Sequence, residues 1–174
     1  MKLLGISGSL RKGSFNTMLV NEAARIFEPS AFTFANLNLP LYDGDVEAAG
    51  MPEPVLTLCD QIREADAIVM STTEYNKAPS GVMKNMLDWV SRPRPAPLVG
   101  KPVAVVASAA GSAGGQRAMA LMYLYLMPFK VRLVVEQEVC VGNSHAAFDD
   151  EGRLKHDAHI GGLTRQMEAL KAAI

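Results

Sequence analysis

A chain of 174 residues, 49% hydrophobic and 20% charged, has the size and mix of one globular domain with an ordinary core. Its net charge of −1 leaves no basic field to hold a nucleic-acid backbone or an anionic membrane, so a small, nearly neutral partner is the better expectation. Two lone cysteines without CxxC spacing, no secretory signal and no apolar run long enough to span a bilayer make the cytoplasm the default location.

In chain order, apolar runs alternate with helical patterns. Lys2 to Ile6 predicts a buried strand and Thr17 to Phe27 a helix; Phe32 to Leu37 predicts a second strand and Pro54 to Glu64 a second helix. Ala67 to Ser71 follows as a short strand, then a helix from Ser80 to Ser91, with Arg92 to Pro97 as a stiff connector. The "PVAVVAS" run, Pro102 to Ser108, is the clearest strand, followed by a helix from Gly115 to Met127, a strand from Val131 to Val141 and a last helix from Gly162 to Ala172. This strict alternation predicts one α/β domain over residues 1–174, a doubly wound five-stranded parallel sheet with helices on both faces. Ligands of such sheets sit outside the carboxyl ends of the strands, where the strand order reverses. The loops after strands one, three and four, Ser7 to Phe15, Thr72 to Pro79 and Ser108 to Gly115, are therefore the functional candidates.

The first of them, within "GISGSLRKGS" (Gly5 to Ser14), supplies hydroxyls from Ser7, Ser9 and Ser14 and a forked cation from Arg11, with Asn16 able to cap the following helix and to donate. Small residues let a phosphate approach free N–H groups at the helix N-terminus; a plain β–α turn with a polar cap remains the simpler alternative on this loop alone. A P-loop is excluded because Ser14 stands where the lysine belongs, and a dinucleotide fingerprint because Gly5 and Gly8 are misspaced and Ala35 to Asn38 carries no acid. The loop favours a single phosphate, as in a mononucleotide.

The third-strand loop, "TTEYNKAPSGVMKNMLDW" (Thr72 to Trp89), narrows the choice. With it the chain resembles the NADPH-dependent FMN reductase family, flavodoxin-like in fold, which includes soluble quinone and chromate reductases. The family's GSLRxxSxN is matched by Gly8, Ser9, Leu10, Arg11, Ser14 and Asn16, and its PEYNxSxPGxLKNxxDW by Glu74, Tyr75, Asn76, Gly81, Lys84, Asn85, Asp88 and Trp89; "SAAGSAGGQRA", Ser108 to Ala118, resembles its third segment. Thr73 departs from the family's proline, Ala78 from a serine, and the later proline is displaced to Pro79.

The resemblance implies FMN as cofactor, with Ser9, Arg11, Ser14, Phe15 and Asn16 at its phosphate end, and Thr73, Glu74, Tyr75, Asn76, Ser108 and Gly111 lining its ring. It further implies NADPH or NADH as hydride donor and ping-pong transfer of two electrons through flavin N5 to quinones or other small electrophiles, among them chromate, azo compounds and free flavin. Hydride transfer of this kind needs proximity and no side-chain nucleophile, so no catalytic residue is assigned. An FMN-binding electron carrier of flavodoxin type is the alternative; such carriers tend to be strongly acidic, and this chain is not. The charge-free "AMALMYLYLMPF", Ala118 to Phe129, is apolar around nearly the whole helix, which fits either a helix buried under a long loop or an oligomer interface; the resemblance favours the interface, since the family forms homodimers and often homotetramers. Arg117 and Glu138 are candidate partners across it. His156 and His159 are spaced for a metal but lie in a charged stretch that reads as a solvated loop, and Cys59, Cys140 and Trp89 read as packing residues.

Overall fold

The computed structural model describes residues 1–174. Five strands, β1 (Lys2–Ser7), β2 (Ala31–Phe34), β3 (Ala67–Thr72), β4 (Pro102–Ser108) and β5 (Arg132–Val141), form one sheet in the order β2-β1-β3-β4-β5. Every pairing is parallel, and this is the flavodoxin-like order, whose switch point lies between β1 and β3.

Alternate residues of the central strands enter two separate cores, as the two-residue period of a strand dictates. Leu4, Ile6, Ile68, Met70, Val103 and Val105 meet α3 (Glu53–Glu64), α4 (Gly81–Val90) and α5 (Gln116–Leu126) on one face. Leu3, Val69, Ala104 and Val106 meet α1 (Phe15–Phe27) and α7 (Asp157–Ala172) on the other. Gly5 lets α1 sit down on β1: a Cβ there would collide with Val20 and with the Phe32 ring.

The sequence boundaries need four corrections. β2 ends at Phe34 and not at Leu37; Ala35 and Leu37 are apolar because they are buried beyond the strand end. α1 begins at Phe15, two residues before Thr17, with Ser14 as its N-cap, so Asn16 lies inside the first turn and does not cap. α7 begins at Asp157, which places His156 and His159 at a helix start and not in a loop. Two short helices, α2 (Gly44–Ala49) and α6 (Ser144–Ala147), had no predicted counterpart.

β5 does not run evenly. Ala104 pairs with Val134 and Val106 with Val139, so the residues between Val134 and Val139 bulge out against a single β4 residue. The Gln166 side chain, buried on α7, replaces the missing ladder: its Oε1 accepts from the N–H groups of Glu136 and Gln137 at 2.9 and 2.8 Å, and its Nε2 donates to the Val134 carbonyl at 2.6 Å.

Candidate active site

The loops after β1, β3 and β4 enclose an open-mouthed cavity of about 270 Å³ at the switch point. Nine of the eleven predicted site residues line it: Ser9, Arg11, Ser14, Phe15, Asn16, Thr73, Glu74, Tyr75 and Ser108. Asn76 and Gly111 do not. Asn76 sits at the tip of a hairpin, and the Gly111 carbonyl accepts from the Gly114 and Asn143 N–H groups, tying its own loop to the segment after β5.

At one end of the cavity is the start of α1. Ser14 is 3% exposed, makes no capping bond to its own helix and lines the cavity, so its hydroxyl is free for a guest. The first backbone bond of the helix is donated by Met18, which leaves the N–H groups of the first turn without intrahelical partners. Arg11 is exposed beside them and forms no ion pair. Orphan N–H groups at the positive end of a helix, a free hydroxyl and an unpaired guanidinium are the donor set that a phosphate dianion requires. Ser9 and Ser7 serve the loop itself: Ser9 Oγ accepts from the Arg11 N–H at 3.3 Å, and Ser7 Oγ accepts from Thr17 Oγ1 at 3.2 Å.

Asn16 stands behind this end as a staple. Its Oδ1 accepts from Ser71 Oγ at 2.8 Å and from the Ser108 N–H at 3.0 Å, and its Nδ2 donates to the Ser108 carbonyl at 2.9 Å. One buried side chain thus joins the first turn of α1 to the ends of β3 and β4, and keeps only one N–H for a ligand.

The opposite wall comes from the loop after β3. Tyr75 and Ala78 exchange backbone hydrogen bonds, both 3.0 Å, and Asn76 and Lys77 between them have φ of 51° and 64°. This is a two-residue hairpin of type I′, and it holds the half-exposed Tyr75 ring at the cavity edge. Glu74 is anchored from outside: its Oε2 accepts from the Ala118 N–H, 3.1 Å, in the first turn of α5. Thr73 Oγ1 is sealed in the wall with no hydrogen-bond partner, at the position where the family pattern has proline.

The motif residues Asn85 and Trp89 lie outside the cavity. Asn85 Nδ2 and Trp89 Nε1 both donate to the Pro40 carbonyl, at 2.9 and 2.8 Å, and Asn85 Oδ1 accepts from the Tyr42 N–H. They clamp the long excursion after β2 onto α4, the helix that follows the hairpin, with Ser80 Oγ donating to the Gly8 carbonyl at 2.6 Å to join the β1 loop to the same helix start.

The family model for NADPH-dependent FMN reductase matches residues 1–146, a span that holds every one of these features. The chain belongs to that family. Among its relatives, the NAD(P)H-dependent FMN reductase PA1204 of Pseudomonas aeruginosa is 39% identical over 98% of this chain and 94% of its own length. A quinone reductase of Escherichia coli is 42% identical over 67% of this chain, a match that spans 64% of that protein. Among solved structures, the flavoenzyme NAD(P)H:(acceptor) oxidoreductase FerB of Paracoccus denitrificans superimposes with a TM-score of 0.87 at 28% identity, covering 99% of this chain and 98% of that one. The family resemblance and the flavodoxin-like fold expected from the two loop motifs are thereby established.

Sequence reasoning missed three lining residues, Ala109, Ala110 and Ser144. The two alanines lie within the predicted fourth-strand loop. Ser144 follows β5, which offered no loop motif; the Gly142–Asn143 turn just before it was the available signal.

The remaining candidates fall away from the cavity. Cys59 is buried in the α3 core, and Cys140 is half-buried with its thiol pushed up to about 11 by burial, then by Glu138 and Glu74, so neither is a poised nucleophile. The His159 imidazole is held below its ordinary value by burial and by His156, and no cluster of three metal-binding side chains exists. No helix is long and apolar enough to cross a membrane.

Proposed function

We propose that the chain is an NAD(P)H-dependent oxidoreductase that holds FMN in the switch-point cavity and passes two electrons, by ping-pong, to quinones or other small electrophiles, chromate, azo compounds and free flavin among them. The observation that carries this reading is the division of one cavity into an anion-binding end at Arg11, Ser14 and the start of α1 and a wall at Thr73 to Tyr75 and Ser108 to Ala110. A phosphorylated tail suits the first and a flat heteroaromatic ring the second. The names of PA1204 and of the Escherichia coli quinone reductase support the donor and acceptor classes.

When bound, the flavin supplies the two-electron chemistry. The chain's residues bind and orient. Arg11 would balance the charge of the tail and Ser14 would donate a hydrogen bond to it; the hairpin and its Glu74 anchor fix the ring wall; Tyr75, 54% exposed, borders the open side through which donor and acceptor would come in turn.

A homodimer or homotetramer is part of the proposal. α5 buries Ala118, Met119, Met122 and Leu126 and leaves Leu124 59% exposed, and Met127, just past its end, is 71% exposed. Met127 and Leu133 of β5, with Tyr123, Leu126 and Val131, line an apolar groove of about 260 Å³, and Val135 is exposed two residues further along β5. Gel filtration at micromolar concentration giving a monomer mass would remove this part.

The deciding experiment is a visible spectrum of the protein purified without added flavin, followed by anaerobic NADPH, NADH and then a benzoquinone. Oxidised-flavin bands that bleach with either nucleotide and return with quinone are the expected result. Bands that persist with both nucleotides and bleach only with dithionite would overturn hydride transfer in favour of an electron carrier.

A further inference from the structure

We propose that Ser144 is a binding residue for the phosphoribityl tail of the flavin, which makes the segment after β5 a fourth wall of the site. The inference rests on the flavin reading above. Ser144 lines the cavity and is only 3% exposed, yet its hydroxyl makes no hydrogen bond within the chain and is not among the atoms sealed from the surface. Its neighbours differ in this respect. Ser108 Oγ donates to the Val141 carbonyl, Ser71 Oγ to Asn16, Ser9 Oγ accepts from Arg11 and Thr73 Oγ1 is sealed. Ser14 and Ser144 are the two buried lining serines whose hydroxyls are free for a guest. A nearly buried hydroxyl that has lost most of its water and gained no protein partner is one that a bound molecule completes.

The backbone around Ser144 is held with care. Asn143 takes a left-handed φ of 48°, its N–H donates to the Gly111 carbonyl and the Ser144 N–H donates to the Ala109 carbonyl, both at 3.3 Å. Gly142 and Gly114 bring the two loops into backbone contact: a Cβ on Gly142 would strike the Ser112 carbonyl, and one on Gly114 the Cys140 carbonyl. Four residues on, Phe148 stacks on Phe15, centroids 5.7 Å apart and planes 17° from parallel, and Phe15 lines the cavity next to Ser14. Ser144 is therefore tied through its backbone to Ala109, at the ring wall, and lies four residues from Phe148, which packs on Phe15 at the phosphate end of the same cavity. The part of FMN that spans those two ends is the ribityl chain with its phosphate ester, and its oxygens are what a lone hydroxyl can bond.

The test is titration of the flavin-stripped full-length protein with FMN, riboflavin and lumiflavin, which lacks the tail, followed by flavin fluorescence. Wild type is compared with Ser144→Ala and with Ser144→Cys, which keeps nearly the same volume but bonds weakly. The expected result is an FMN Kd raised about tenfold in both variants, with lumiflavin affinity and the thermal midpoint of the apoprotein unchanged. A loss shared by riboflavin assigns the bond to a ribityl hydroxyl, and a loss confined to FMN assigns it to the phosphate; both support the proposal. FMN affinity unchanged in both variants, or lumiflavin affinity falling in parallel, would overturn it. Wild type that binds none of the three flavins would overturn the flavin reading itself, which the same titration reads separately.

Discussion

The Glu74 carboxylate accepts a hydrogen bond from the Ala118 N–H at 3.1 Å, so the loop that walls the cavity also caps the N-terminus of α5. The residue before that helix is Gly115, which has no side chain with which to cap. A carboxylate at a helix N-terminus is favoured by the orphan N–H groups and by the dipole together. Glu74→Ala is expected to lower stability by about 1 kcal/mol and to weaken flavin binding by loosening the hairpin. Glu74→Gln keeps an acceptor oxygen and should retain most of both. Urea denaturation and flavin titration on the two variants check this, and equal losses in the two would contradict the capping role.

Arg11 and Asn16 sit in the same loop motif and should fail in different ways. Arg11 is exposed and bonds to nothing within the chain through its side chain, so Arg11→Ala leaves stability unchanged and raises the FMN Kd by about tenfold or more, with riboflavin little affected. Asn16→Ala strips partners from the buried Ser71 hydroxyl and from both backbone groups of Ser108, at a cost of about 3 kcal/mol. Denaturation midpoints set beside FMN and riboflavin affinities separate the two patterns.

Lys77 holds a conformation that suits glycine. With φ of 64° at the second central position of a type I′ turn, its Cβ is strained, whereas Asn76 before it belongs to a residue type that tolerates the left-handed region. Lys77→Gly is expected to stabilise the protein by about 0.5 kcal/mol after the entropy of the unfolded glycine is counted, and Lys77→Val to destabilise it by about 1 kcal/mol. Chemical denaturation reads both signs; a stabilising valine would refute the turn assignment.

Glu47 gives the fold an acid-sensitive clamp. Hydrogen bonds from Arg92, and next from the Tyr42 hydroxyl, hold its carboxyl below the ordinary value of 4.5. The native state thus favours the ionised form, and as pH falls the unfolded chain takes up the proton first. The stabilisation is complete above the ordinary carboxylate value and is lost as pH falls through the lower, folded one. Glu47→Gln should lower stability at neutral pH and flatten the decline on acidification. Urea midpoints measured from neutral pH down to about 3 test this, and parallel curves for the two proteins would refute it.

What the sequence made legible follows the physics of burial. Strands such as Pro102 to Ser108 are buried throughout and apolar up to their last residue because helices cover both faces, and that signal survives without any structure. β2 was misplaced because burial and sheet pairing are different things: Ala35 and Leu37 are buried although the ladder ends at Phe34. α2 buries none of its residues and so carries no periodic pattern; only the Asp43 side chain, which accepts from the Asp45 N–H, marks its start. The first turn of α7 was hidden by Gly161 and Gly162, which read as a helix boundary. At the site, the chemistry of the first loop and the family resemblance together named nine lining residues, but sequence could not show that Asn16 spends its bonds on β3 and β4, or that Ser144 arrives from the far edge of the sheet.

The Gln166 bonds to Val134, Glu136 and Gln137 make the order of the edge strand conditional on the last helix. Where β5 leaves the ladder, its amides answer to α7 and not to β4, so a transient fraying of the chain's end reaches the middle of the sheet's rim. The bulged rim exposes Val135, and Leu133 two residues before it lines the apolar groove beside α5. The C-terminal helix therefore acts as a splint, and the shape of that outer surface is set by a buried residue of another element.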